Sequence, residues 1–142
     1  MKSLLGPADH DRIVAAIARA ERSTSGQIRV HLHHRAVRDP IAAGKKVFEK
    51  LGMANTAEKN GALIFVAPRS KNFAILGDSG IHERCGDDFW SQAAAAMTGH
   101  FQRGDFPGGI VATIEKLGEA LAAHFPRREG SANELPDEVD EG

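Results

Sequence analysis

The run Gly61-Ala62-Leu63-Ile64-Phe65-Val66-Ala67, closed by Pro68, constrains this chain more than any other segment. A stretch with no polar interruption reads as a strand buried on both faces, and such a strand needs a covering layer on each side. A turn at Arg69-Ser70-Lys71-Asn72 leads to a second apolar strand, Phe73-Ala74-Ile75-Leu76-Gly77. So short a connection makes the pair an antiparallel hairpin.

The remaining segments supply the layers. Gln27-Ile28-Arg29-Val30-His31-Leu32-His33 alternates, with Ile28, Val30 and Leu32 on one side. Its other side carries Arg29, His31 and His33, a wet or partly covered face. Apolar residues recur at helical spacing over about 10 to 23, ended by Ser23-Thr24-Ser25-Gly26. Asp39-Pro40 starts a helix over about 40 to 51, with Gly52 as its stop. A further helix is expected to begin at Asp87 or Asp88 and to close near Gly104. Phe89 and Trp90 in it read as core anchors. The last helix is expected over about 108 to 124, ended by Pro126. The crossover from the first strand through the second helix is long enough for a parallel βαβ unit. The reading is α/β, a single three-layer α/β/α sandwich with a mixed sheet, spanning residues 1–126. Residues 127–142 carry six acids from Glu129 onward and almost no apolar side chains, so a flexible or loosely docked tail is expected.

Composition narrows the class. The 142 residues, 42% hydrophobic and 26% charged, suit one ordinary soluble domain. A net charge of -1 provides no global attraction to nucleic acid or anionic lipid. No stretch approaches the ~20 apolar residues of a membrane span. The N-terminus has no signal-peptide pattern, and Cys85 is the single cysteine, so a cytoplasmic location is expected.

The same topology predicts a site. Parallel first and second strands put Gln27 and Gly61 at one edge of the sheet, and the antiparallel third strand returns Gly77-Asp78 to it. Ser25, Gln27, Asn60, Asp78 and Ser79 then converge. Glycines at 26, 61, 77 and 80 are expected to let a ligand approach the backbone. Asp105, in a glycine-bracketed loop, can lean over the same edge. Asp78, Asp105, Asn60 and Gln27 offer the oxygen chemistry of a hard cation, Ca²⁺ or Mg²⁺. The alternative is that Asp78 and Asp105 serve their own turns by accepting from nearby backbone N–H groups.

Three other signals have plainer readings. His31, His33 and His34 resemble a zinc site, but a third and fourth ligand are missing locally, and a polar strand face explains them. Cys85 lacks the phosphate-cradling loop of a thiol phosphatase and reads as a buried, inert thiol. Gly77-Asp78-Ser79-Gly80 lacks the Lys-Ser/Thr of a P-loop, and Ser25 and Ser79 lack an evident base.

The chain resembles the TPM domain family along nearly its whole length. The likeness is carried by Glu21 to His31, Val47 to Met53, Asn60-Gly61-Ala62-Leu63-Ile64, Phe73 to Ile81 and Phe101 to Gly109. Phe89-Trp90 and Asn133-Glu134-Leu135-Pro136-Asp137-Glu138 are similar to a soluble bacterial branch of that family. The resemblance implies an α/β/α sandwich, divalent-cation binding at the loop edge and a phosphatase activity. One position departs from it: the family usually reads Ser-Gly-Glu where this chain has Ser25-Gly26-Gln27, which removes a carboxylate. The leading expectation is therefore a cation-binding module acting through a protein partner. The alternatives are a metal-dependent phosphatase acting on phosphomonoesters and a small-ligand binder using backbone N–H groups.

Overall fold

A computed structural model describes residues 4–127 and 139–142. The elements follow in the order α1 (Pro7–Glu21), β1 (Gln27–Leu32), α2 (Pro40–Lys50), β2 (Gly61–Ala67), a 3-10 turn (Pro68–Ser70), β3 (Asn72–Gly77), α3 (Ser79–Gln102), α4 (Phe106–His124) and β4 (Val139–Glu141). The sheet order is β3-β2-β1-β4. β1 runs parallel to β2, with Gln27 opposite Gly61, and β2 is antiparallel to β3, with Ala62 opposite Gly77.

The two faces of β2 are packed differently. Ala62, Ile64 and Val66 join Ile28, Val30 and Leu32 beneath α1, α3 and α4, against Ile13, Ile17, Ile114 and Leu121. Leu63 and Phe65 face α2, against Val47, Phe48 and Met53. Every residue of β2 is buried, so its apolar run satisfies two layers at once. α2 begins as its sequence dictates: the Asp39 side chain accepts from the Ala42 N–H at 3.1 Å and Pro40 sits at the first position. Its Gly44 lies against Leu76. Among the described residues, no helix is long and apolar enough to cross a membrane.

Two expectations are corrected. α3 begins at Ser79, not at Asp87 or Asp88, because Asp78 caps it. The helix breaks at Gly86, whose φ of 72° a residue without Cβ adopts at no steric cost. The expected start therefore marks the second half of a kinked helix. The tail is not loose at its end. Val139–Glu141 adds to β1 in parallel, with Val30 opposite Val139 and Leu32 opposite Glu141. The His34 N–H donates to the Gly142 carbonyl at 2.7 Å, and the Gly142 N–H to the Leu32 carbonyl at 3.0 Å. This short strand satisfies the β1 edge that would otherwise be open. The Asn133 to Glu138 segment of the resemblance lies outside the described residues.

Candidate functional site

The starts of β1 and β2 and the end of β3 lie side by side. The Gln27 N–H donates to the Asn60 carbonyl at 3.2 Å, and the Asp78 N–H donates to the Gly61 carbonyl at 3.0 Å. The edge is anchored from behind. The Glu21 carboxylate accepts from the Ile28 N–H at 2.7 Å, and the Ser25 N–H donates to the Phe125 carbonyl at 3.0 Å. The end of α4 and the end of α1 thus hold the entry to β1.

Side chains bind this edge together. Ser25 Oγ donates to Glu58 Oε1 at 3.0 Å and accepts from Asn60 Nδ2 at 3.2 Å. Gln27 Nε2 folds back onto the Ser25 carbonyl at 3.3 Å. The approach to β2 is shaped by Lys59, whose φ of 52° is left-handed, and by Thr56, whose Oγ1 accepts from the Asn60 N–H at 3.3 Å. Asp78 caps α3 through Oδ1, which accepts from the Ser79 N–H at 2.8 Å. Its other oxygen, Oδ2, is buried and has no hydrogen-bond partner among the described residues; Asn60 Oδ1 is in the same condition. A buried polar atom left unsatisfied costs about 1–3 kcal/mol, more when charged. Two such acceptors at one edge want a donor or a cation.

The structure brings Gln27, Asn60 and Asp78 to this edge and leaves Asp105 at the other. α4 runs about 28 Å from Phe106 to His124, and its far end touches Ser25. Asp105 therefore lies a helix length away, and its neighbours Gly104 and Phe106 line a cleft with Pro68 and Lys71 past the end of β2. There Asp105 Oδ1 accepts from the Gly108 N–H at 3.0 Å and Oδ2 meets His100 Nδ1 at 3.4 Å. The Gly108 N–H, with His100 behind it, holds its carboxyl below the usual range. This is the capping role of an Asp at a helix start.

Three of the glycines also make room for the protein rather than for a ligand. A Cβ at Gly26 would sit 3.0 Å from Leu121, one at Gly77 would sit 2.3 Å from Trp90, and one at Gly80 would sit 2.3 Å from the Glu58 carbonyl oxygen. Glu58 was not anticipated. It stands two residues before Asn60, and that proximity to the start of β2 is the signal in the sequence that points to it.

The histidines form a second cluster with the C-terminal strand. His31 Nδ1 meets Asp140 Oδ2 at 2.5 Å, His31 Nε2 meets His33 Nδ1 at 3.1 Å, and His34 Nε2 meets Glu141 Oε2 at 2.7 Å. His31 also stacks on Phe65. Burial pushes the His31 imidazole below its ordinary pKa despite Asp140, and burial with His31 beside it does the same to His33. Both His31 ring nitrogens are engaged within the protein. Among the described residues, no group of three or more His, Cys, Asp or Glu side chains is arranged to hold a metal ion. Cys85 is half-buried, and burial pushes its thiol pKa up.

The TPM domain matches residues 1–120. Among solved structures, the BA42 protein of the psychrophilic bacterium Bizionia argentinensis is 41% identical, covers 100% of this chain and 98% of its own, and superposes with a TM-score of 0.93. The N-terminal domain of a Corynebacterium glutamicum protein is 18% identical over 98% of this chain and 82% of its own, with a TM-score of 0.66. The N-terminal domain of a P. gingivalis protein is 18% identical over 89% of this chain and 83% of its own, with a TM-score of 0.70. The last two share the fold. Comparison with curated proteins finds no match.

Proposed function

We propose, since this chain belongs to the TPM domain family, that it is a module whose loop edge binds a divalent cation, Ca²⁺ or Mg²⁺, and which acts through a protein partner. The observation that carries the reading is the Asp78 carboxylate. One oxygen is spent on the helix cap while the other is buried and, among the described residues, has no partner, as is the case for Asn60 Oδ1 beside it at the strand ends. Carboxylate, amide, hydroxyl and carbonyl oxygens are the donors that hard cations take. Asp78 and Asn60 would supply the first contacts, and Glu58, linked through Ser25, would supply the second negative charge. That carboxylate offsets the one absent at Gln27. Gln27 itself shapes the edge by bonding to Ser25. Asp105, at the opposite end, has no part in the site.

Calorimetric titration of Ca²⁺ and Mg²⁺ into metal-free protein tests this. Wild type should bind one of them, and Asp78→Ala should lose the binding. A smaller loss is expected from Glu58→Gln. Unchanged binding in Asp78→Ala would falsify the site. A phosphomonoester assay run alongside decides the catalytic alternative. A bound ion would there polarise the phosphoryl oxygen and acidify a water. Turnover abolished by Asp78→Ala would make the protein a metal-dependent phosphatase.

A further inference from the structure

The two ends of the sheet are treated differently. β1 is covered by the chain's own β4, whereas β3 is an edge among the described residues. Proteins commonly protect such an edge with charged residues, proline, a bulge or shortness. Asn72–Gly77 has no charged residue and no proline and is six residues long. Its hydrogen-bond phase follows from Asp78, whose N–H donates to Gly61. Residues 72, 74, 76 and 78 therefore bond to β2, and Phe73, Ile75 and Gly77 turn their N–H and C=O groups outward.

The outward groups of Ile75 and Gly77 face a cleft. A groove of 610 Å³ follows Ile75, Leu76 and Gly77, walled by Ile41 and Phe48 of α2 and by Trp90 of α3. Ile41 is 56% exposed, the one large hydrophobic residue so placed among the described residues. The groove is also polarised. α2 crosses back between two parallel strands, so it runs in the same direction as β3. Exposed Lys45 and Lys46 stand along the groove, and Lys71 stands at the start of β3. Glu49 and Asp78 stand at its end.

We infer that the β3 edge is a docking groove for an extended, acidic segment of a partner protein, which adds to the sheet as an antiparallel strand. The backbone groups of residues 73, 75 and 77 supply the main-chain bonds. Alternate apolar side chains of the segment rest on Ile41 and Phe48 on one side and on Trp90 on the other. Antiparallel addition sets the C-terminal end of the segment against Lys71 and its middle against Lys45 and Lys46, so the acids fall from the middle to the C-terminal end. The N-terminal half meets Glu49 and Asp78. The inference deepens the interaction half of the proposed function and rests on it. The groove itself needs no cation.

The test uses a set of blocked hexapeptides with Val, Leu or Phe at alternate positions and Asp or Glu in the C-terminal half, read by amide chemical shifts of the full chain. A matched set carries Lys or Arg instead. The acidic set should contain binders that move the amides of Phe73, Ile75 and Gly77, and N-methylation of alternate peptide amides should abolish the effect. Lys45→Glu with Lys46→Glu should weaken binding about tenfold, the size expected when two exposed attractive pairs become repulsive. No binder in the acidic set, equal binding by the basic set, or shifts confined to other strands would overturn the inference. So would peptide-free dimers that already protect these three amides, which would make a second copy the occupant. Repeating the titration with and without Ca²⁺ separates the two readings. Peptide binding lost while calcium binding stands refutes the groove alone. The reverse outcome refutes the cation site alone.

Discussion

The same substitution in one helix should have opposite effects at Gly80 and Gly99. Both glycines lie in α3. A Cβ at Gly99 meets nothing within 4 Å, so Gly99→Ala should gain roughly 0.8–1 kcal/mol of helix propensity. A Cβ at Gly80 would lie 2.3 Å from the Glu58 carbonyl oxygen and 2.6 Å from that of Lys59. Those are backbone atoms and cannot rotate away. Overpacking of this kind costs about 1–3 kcal/mol, and the upper half of that range applies to so close an approach. The propensity gain in the first turn offsets at most about 1 kcal/mol. Gly80→Ala should therefore lose about 1–2 kcal/mol. It should lose about 1 kcal/mol more if the loop retreats far enough to break the 2.8 Å bond from the Gly80 N–H to the Lys59 carbonyl. Urea unfolding of the two variants beside wild type reads the difference. At about 3 °C per kcal/mol for a chain of this length, melting temperatures should diverge by roughly 6–9 °C. Because the retreating loop carries Glu58 and Asn60, the amide shifts of Ser25 and Asn60 should move in Gly80→Ala and stay in Gly99→Ala. A Gly80→Ala protein as stable as wild type would refute the packing of the Glu58 loop on α3, and the site geometry with it.

Further outcomes follow from the same contacts. Asp78→Asn keeps a helix cap of equal quality, so metal-free stability should change little. Ca²⁺ at a hundredfold excess over Kd should raise wild type by about 2.7 kcal/mol, roughly 8 °C, and leave the variant where it was; an equal rise in both would exclude Asp78 as a ligand. Burial lowers the pKa of His31 and His33 in the fold, so the unfolded chain takes up protons first. Stability should hold above pH 6.5 and fall as the pH drops below it. His31→Gln should flatten that slope in urea titrations at pH 7.5 and 5.5, and a gain in stability on acidification would contradict the assignment. The Cys85 thiol, raised by burial, should react with DTNB at pH 7.5 more slowly than free cysteine does. Faster labelling would place it in a different environment.

The local pattern carried the sheet. An uninterrupted apolar run, a short turn and a crossover of helical length leave one economical arrangement for β1, β2 and β3, and that arrangement alone takes Gln27, Gly61 and Asp78 to one edge. A helix start was legible where a cap and a proline coincide at Asp39-Pro40, whereas α4 starts at Phe106 behind its Asp105 cap, two residues before the expected 108. The kink at Gly86 mimics a helix start within α3. Distances set by packing were not legible. Asp105 and Asp78 each stand beside glycines as helix caps, yet α4 separates their ends by its own length. Glu58 enters the site because Lys59 turns left-handed and carries the loop beneath Gly80.

The periods of the residues determined which segments are strands and helices and which faces are apolar, because those properties come from neighbours within a few positions. Tertiary structure alone decided that Val139-Asp140-Glu141 closes the sheet against His31 and His34 and, among the described residues, that β3 is an edge and which oxygens are buried without partners. Each depends on groups far apart in the chain, 109 positions for His31 and Asp140, whose meeting is set by the packing of whole layers.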